Sequence, residues 1–506
     1  MSDQSRALTV LAVNTCAFTV CFAAWTMNGV LVTYLVDHGV FAWNEAQMGW
    51  LIGLPVLTGS LSRLPLGILT DRYGGRSVFS ALLFLAAVPM YLLSYATTYA
   101  HFVWGSLGFG LTGGSFAVGI AYTSVWFSRN RQGTALGIFG AGNAGAALTS
   151  MGAPVVLAML TLDHAQLEGW RMLPRLYATA LAATGVLFLV LAHEKKADTR
   201  RILTMRERLA PLQSMRVWRF GTYYLFVFGA YVGLSQWLIP YYVNVYGMSV
   251  ATAGMMAALF SLPGGVIRGL GGWMSDHWGA RRVMYWVLGG CAVCCVLLSV
   301  PRMDIQSPGS GVMAARAGLV GAASPAQVVV DDRIYPLLQR PEGWNPQGTG
   351  DALVFPTTAF WQEPVVEVGD RVEKRQLLAR GVTHLYFQAN VWIFSALVFV
   401  VGFLMGIGKA AVYRHIPDYF PGDVGVVGGM VGVIGGLGGF LLPILFGYLL
   451  RGTGIWTTNW IVLALLAVAC LVWMHVVIQR MLRERQPGLM SQMERGHAAV
   501  APMETA

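Results

Sequence analysis

The chain has 506 residues, 56% of them hydrophobic and only 11% charged, with a formal net charge of +10. An ordinary soluble domain carries about 25% charged residues, so a water-soluble globular class is excluded. The positive balance does not call for nucleic acid, because basic residues near the ends of apolar segments are what orient a membrane chain.

Taken in order, twelve apolar segments are long enough to cross a bilayer, roughly 8–36, 46–70, 77–97, 101–127, 133–160, 172–192, 219–245, 250–274, 283–300, 389–413, 425–449 and 459–479. The chain therefore reads as an all-α polytopic membrane protein. The first span is too long for a signal-peptide core and has no convincing cleavage site, so it is expected to be retained. Arg72, Arg76, Arg129, Arg131, the run Lys195 to Arg219, Arg281, Arg282 and the stretch Arg480 to Arg485 fall on one side; the opposite short loops hold Arg171 and Arg451. That asymmetry puts both termini in the cytoplasm. All six cysteines lie within helices, so neither a structural disulfide nor a metal site is expected.

Residues 1–192 form a first six-helix bundle, and 219–300 with 389–479 form a second. Between them lies a basic cytoplasmic linker, 193–218, and 480–506 is a cytoplasmic tail. The two bundles echo each other. Sliding Leu57–Arg76 onto Leu262–Arg281, an offset of 205, brings Arg63 onto Arg268, Gly67 onto Gly272, Asp71 onto Asp276, Gly74 onto Gly279 and Arg76 onto Arg281. Each bundle thus holds one arginine about two turns inside an apolar span. An ionised side chain there costs about 2.5–3.5 kcal/mol on insertion scales. Either each arginine pairs with a carboxylate or a helix end and only holds the bundle, or the pair binds an external anion. No Asp or Glu lies inside the twelve spans, which favours the anion. Arginine stays protonated and offers planar, bidentate donors suited to a planar oxyanion. The turns with Asp71, Arg72 and Arg76, and with Asp276 and Arg281, read as conformational loops whose charges can latch helix ends; a plain solvated turn is the alternative.

Spans four and five run GFGLTGGSFAVGIAYTSVWFSRNRQGTALGIFGAGNAG from Gly108, and spans ten and eleven run GIGKAAVYRHIPDYFPGDVGVVGGMVGVIGGLGGF from Gly406. Glycine at this density lets helices approach closely. Packing does not explain Asn143 or Lys409. A buried lysine is costly to keep charged and can give up its proton; the plainer alternative is that it snorkels to the surface. At an offset of 293, Lys409 falls on Phe116, and Tyr419-Phe420 on Trp126-Phe127. Arg414 and His415 read as interfacial.

Residues 301–388 separate spans nine and ten, where a short loop would do, and topology puts them outside the membrane. They hold eight Lys/Arg and nine Asp/Glu, with Pro325, Pro336, Pro341, Pro346 and Pro356. Gln327–Val330 and Val365–Val368 alternate as short strands do. The run VVEVGDRVEKRQLLARG resembles half of a lipoyl-like barrel-sandwich domain, without a lysine placed for lipoylation. A small β-rich cap is expected, and it leaves room for a periplasmic partner.

The paired arginines and the two glycine-rich stretches resemble the nitrate/nitrite porter family of the major facilitator superfamily, over nearly the whole chain except 301–388. The resemblance implies a major facilitator fold, with two pseudo-symmetric six-helix bundles and the β-rich insert. It implies that Arg63 and Arg268 clamp the nitrogen oxyanion and that Phe116, in GGSFAVG, stacks on it. Asn143 matches a polar residue of the first signature, and Tyr224, in YYLFVFG, a tyrosine that hydrogen-bonds the substrate. Lys409 departs from members that exchange nitrate for nitrite, and GKAAVYRHIPDYFP is more like the branch described as nitrate/proton symporters.

Three functions follow for test. The first is nitrate uptake coupled to protons. The second is nitrate/nitrite exchange. The third is a membrane sensor or assembly factor that uses the insert to bind a partner. Related sugar-phosphate exchangers also use two arginines, but the aromatic and glycine signatures favour a smaller, planar anion. There is no nucleotide loop, metal-ligand cluster or nucleophile–base pattern in the sequence, so neither an enzyme nor a cofactor is expected.

Overall fold

The computed structural model describes residues 3–127, 129–162, 165–195, 210–300, 303–342, 356–420 and 424–485. Most of the expected basic linker, most of the tail beyond 485, Pro346, and the side chains of Arg129 and Arg131 lie outside the described residues. The chain folds as two units: Met1–Ser299 with Leu397–Ala506, which is helical, and Val300–Ala396.

Among the described residues, ten helices are long and apolar enough to cross a membrane, and the bent pair Val250–Val266 and Arg268–Trp278 makes eleven. The remaining expected span, 219–245, is helical from Met215 to Tyr246 but widens to a π-helix over Leu225–Ala230. Every side chain of that helix from Tyr231 to Val243 is buried. Its composition is therefore set by protein neighbours rather than by lipid, which is why tyrosines, Trp237 and Gln236 can occupy it.

The sequence echo is also a backbone echo. The helix Glu45–Tyr73 stops at Gly74 with φ 92°, and Arg268–Trp278 stops at Gly279 with φ 83°. Both angles lie where only glycine is unstrained. In the second loop Asp276 Oδ1 accepts from Arg414 Nε at 2.7 Å, and Arg281 Nη2 donates to the Tyr419 hydroxyl at 2.7 Å. In the first, Arg76 Nη2 donates to the Leu189 carbonyl at 2.5 Å, and the Arg72 guanidinium lies 5.3 Å from the Tyr73 ring centroid. All of these contacts stay within their own bundle. The bundles meet at the opposite helix ends. Gly49 packs against the Pro443 carbonyl, Gly53 against that of Phe440, Gly29 against Gln236 and Gly254 against the Ser150 carbonyl, each too close for a methyl group. The halves are thus closed on the side away from the two charged loops.

Among the described residues the second unit holds seven strands: β1 Met303–Met313, β2 Gly318–Ala323, β3 Gln327–Val330, β4 Arg333–Pro336, β5 Thr357–Pro364, β6 Arg371–Val372 and β7 Leu377–Phe387. They form two antiparallel sheets, β1-β7-β5 and β4-β3-β2-β6. Val320, Val328, Val330, Tyr335, Val372 and Leu378 make its core. The expected strand Gln327–Val330 is β3. Val365–Val368 is not a strand. It follows Pro364, the last residue of β5, whose nitrogen faces away from β7 where no ladder bond is needed. Val365 N still donates to the Leu378 carbonyl at 2.9 Å and Val366 is buried, but the backbone then turns through Gly369 at φ 98°. The alternation there reflects burial without pairing.

This unit has its own core, and none of the candidate ligand residues lies in it. Replacing 305–384 with a short Gly/Ser linker is therefore expected to leave anion flux largely intact in proteoliposomes. A folded but inactive deletion would show that the unit gates or couples transport.

Candidate functional site

The helix carrying Arg63 begins with a reciprocal cap. Asn44 Oδ1 accepts from Gln47 N at 2.9 Å, and Gln47 Oε1 from Asn44 N at 3.0 Å. From there an unbroken helix carries Arg63 to the contact between the bundles, where the residue is 4% exposed. Its Nη1 donates to the Gly432 carbonyl of the other bundle at 2.6 Å, and its Nε has no partner. Glycine allows this approach: a methyl group at Gly436 would crowd Ser60 and come within 3.3 Å of Arg63 Nη1. The guanidinium lies 5.0 Å from the Phe228 ring centroid, 5.3 Å from Phe116 and 6.0 Å from Trp25.

Arg268 is the first residue beyond the 47° bend in its helix. Pro263 lies one turn before that break, and Ile267 N still keeps an α-helical bond to the Pro263 carbonyl at 2.9 Å. The Arg268 guanidinium lies 5.5 Å from the Phe116 centroid and 5.4 Å from Tyr413. One aromatic ring is therefore shared by two guanidiniums from different bundles. Among the described residues neither arginine forms an ion pair.

The aromatic wall continues from Phe116 to Phe228, 6.4 Å between centroids, and from Phe228 to Tyr224, 5.0 Å apart and stacked within 7°. Tyr224 meets Tyr413 edge-on at 5.0 Å. The Tyr413 hydroxyl donates to the Gly428 carbonyl at 3.0 Å, while the Tyr224 hydroxyl has no partner of hydrogen-bonding geometry. Asn143 is fully buried with both amide atoms unpartnered. Its neighbours Gly140 and Gly265 face Arg268 and the Asn143 backbone, which places that stretch of backbone beside the bend. Buried polar atoms without partners are rare in folded proteins. Two kinds of donor with spare capacity, a guanidinium and a phenol, here flank one aromatic wall.

Lys409 is wholly buried and does not reach the surface. Its Nζ donates to the Gly264 carbonyl at 3.0 Å and sits 3.0 Å from the Tyr231 ring centroid and 5.9 Å from that of Phe228. Gly264 is one turn before Arg268 on the bent helix, so the lysine and the second arginine act on the same break. A hydrogen bond from a charged donor contributes about 1.5–3 kcal/mol and a desolvated cation–π contact about 2. Together these offset much of the cost of an ammonium at that depth.

Of the sequence candidates, Arg63, Arg268, Phe116, Tyr224 and Lys409 come together around Phe228, with Asn143 beside the bend. Asp71, Arg72, Arg76, Asp276 and Arg281 lie at the helix ends, apart from this cluster. Arg414 pairs with Asp276, and His415 stacks on Phe220 at 5.7 Å. Phe228, Tyr231, Tyr413 and the Gly264 carbonyl were not singled out from sequence. A signal existed for two of them: Phe228 is four residues after Tyr224, and Tyr413 four after Lys409, the spacing that shares a helix face.

Four helices leave α geometry around the cluster. Gly110–Gly114 is a 3₁₀ turn just before Phe116, Ala141–Ala144 is another, Leu225–Ala230 is the π-helix, and Ile267 is the bend. In a membrane protein, irregular backbone at depth is tolerated where it is buried in protein or lines a cavity, and broken helices mark transporter binding sites.

The sequence model of the Major Facilitator Superfamily matches residues 13–339. The chain is also 38% identical over 496 residues to the "Probable nitrate/nitrite antiporter NarK1" of Thermus thermophilus, covering 97% of this chain and 96% of that protein. The chain belongs to the major facilitator superfamily, in its nitrate/nitrite porter family. Other porters in the comparison are the "Nitrite extrusion protein" of Bacillus subtilis, 26% identical over 61% of this chain and 76% of that one, and the "Probable nitrate/nitrite transporter NarK2" of Mycobacterium tuberculosis, 32% identical over 56% and 70%. Among solved structures, a bacterial homologue of the human lysosomal transporter Spinster superposes with a TM-score of 0.62 at 12% identity, covering 93% of this chain and 96% of that one. At that identity the likeness speaks for the major facilitator fold alone. As a member of this superfamily the chain is a multi-pass transporter and not an enzyme.

Proposed function

We propose that the chain carries nitrate across the bacterial inner membrane by alternating access, in symport with protons, with both termini in the cytoplasm. The observation that carries this reading is the pair Arg63 and Arg268, one from each bundle, both within 5.5 Å of the Phe116 ring centroid and without a carboxylate partner among the described residues. A flat monoanion beside that ring would meet a guanidinium from each bundle. The names of the porter relatives support nitrogen oxyanions as the cargo. Asn143 and Tyr224 supply the uncharged donors, and the Asp71–Arg76 and Asp276–Arg281 loops open and close the far side.

Lys409 supports the proton part. It is a titratable group placed among the arginines and the aromatic wall, at a depth where the sequence has no carboxylate. The name of the Thermus relative favours a second reading, nitrate/nitrite exchange. Proteoliposomes separate the two. Nitrate should enter empty vesicles when an inward proton gradient is imposed, without nitrite inside. Uptake only when nitrite waits inside would replace symport by exchange. No anion flux under either condition would leave a sensor or an assembly factor that binds a periplasmic partner through 301–388.

A further inference from the structure

A second group of arginines lies outside the nitrate cluster, in the second bundle at the end that carries the Asp276–Arg281 loop. Arg219, Tyr223 and Arg281 line a narrow cleft with a free volume of about 20 Å³, together with Met474, Val477 and Met481. Arg219 is only 8% exposed, yet among the described residues it forms neither a hydrogen bond nor an ion pair. Its guanidinium rests 5.5 Å from the Phe220 ring. Tyr223 is 2% exposed and its hydroxyl has no hydrogen-bond partner. Arg281 donates to the Tyr419 hydroxyl at 2.7 Å, and Arg216 lies 5.4 Å from the same ring. No carboxylate lines the cleft among the described residues, and the nearby Asp276 is held by Arg414.

We propose that this cleft binds the phosphate of an anionic phospholipid headgroup. Converging arginines and a spare phenol are what a phosphate oxygen recruits. The apolar part of the lining decides the source. Met474, Val477 and Met481 belong to the helix Thr458–Arg485, whose neighbouring Val472 and Val476 are 54% and 57% exposed on an apolar face. The cleft therefore runs from a cationic floor onto a surface that lipid covers. Basic pockets between transmembrane helices at the cytoplasmic surface bind such headgroups. Once seated, the phosphate ties together the start of the Met215–Tyr246 helix, the Asp276–Arg281 loop and the end of the Val391–Tyr419 helix, all in one bundle. The site is separate from Arg63, Arg268 and Lys409.

Native mass spectrometry of the full-length protein in detergent tests this, with phosphatidylglycerol and phosphatidylcholine as probes. The unmodified protein should retain phosphatidylglycerol in preference to phosphatidylcholine. Arg219→Gln should weaken that retention by about tenfold or more, the scale of one charge-assisted hydrogen bond. Tyr223→Phe, which removes one hydroxyl and keeps the packing, should weaken it by a few-fold, and Arg219→Lys should restore part of the loss. In parallel, inorganic phosphate is titrated against thermal unfolding in phosphatidylcholine nanodiscs. Stabilisation by phosphate that is lost in Arg219→Gln, with no preference for phosphatidylglycerol, would keep the phosphate site but overturn its lipid source. Equal phosphatidylglycerol retention by folded Arg219→Gln, Tyr223→Phe and unmodified protein, with no effect of phosphate, would overturn the site itself.

Discussion

Arg63→Lys is expected to weaken nitrate binding by about 1–3 kcal/mol, and Arg268→Lys by a similar amount, although both keep the charge. The geometry gives the reason. Arg63 already spends Nη1 on the Gly432 carbonyl at 2.6 Å, and this bond joins the two bundles. Its remaining donors are fixed by the planar fork and can face an anion at the same time. A lysine ammonium is a single point. Its three donors diverge from one nitrogen and do not reproduce the parallel fork, and it loses the flat stacking over Phe116 and Phe228. Arg268 stands where its helix has bent, so a lysine there starts from the same backbone but offers no fork. The measurement is nitrate binding to the purified variants, by calorimetry or by counterflow in proteoliposomes. Normal affinity in either variant would remove that arginine from the clamp and with it the main support for an anion held between the halves.

The second large effect is expected at Lys409. Two arginines facing one ring repel each other when the site is empty, and a bound anion relieves that repulsion. Closure requires such a differential interaction. An exchanger needs nothing more, because an anion is aboard whenever the halves rock. A symporter must also return empty, and its cationic site must then shed charge. Lys409 is placed to do this. Its bond to the Gly264 carbonyl survives loss of the proton, since a neutral amine still donates. Its attraction to the Tyr231 ring does not, because that depends on the charge. Proton release would thus loosen the lysine's grip on the bent helix one turn before Arg268. Lys409→Gln is expected to abolish net nitrate uptake driven by a proton gradient while retaining nitrate exchange. Accumulation at the normal rate under that gradient would show that another group couples the proton.

Both expectations rest on positions that sequence could name, and on partners that it could not. Arg63 and Arg268 stood out because an ion inside an apolar span is costly and the cost is repeated at the same place in each half. The echo of Gly74 and Gly279 was legible for a similar reason: a positive φ leaves few residue types. Lys409 stood out by the same cost, yet the structure was needed to decide between a snorkelling lysine and one closed over by Tyr231.

The twelve spans were largely visible from length and hydropathy alone, because the bilayer demands about 20 apolar residues whatever the packing. Which side chains face one another was not visible. In a soluble helix the polar face marks the outside and leaves the rest to the core. Here lipid and protein interior are equally apolar, so the pattern carries no such mark. That is why Phe228, Tyr231 and Tyr413 escaped notice, and why the π-helix at Leu225–Ala230 and the bend at Ile267 could not be placed. In the β unit the pattern misled in the opposite way: Val365–Val368 alternates because Val366 fills a core, while the turn at Gly369 keeps the segment from running on as a strand. Composition and repeat determined the class, the two halves and the paired charges, because membrane insertion penalises each residue by its own chemistry. Only the tertiary structure decided which aromatic rings and carbonyls those charges meet, because in an apolar medium such contacts depend on shape and close approach.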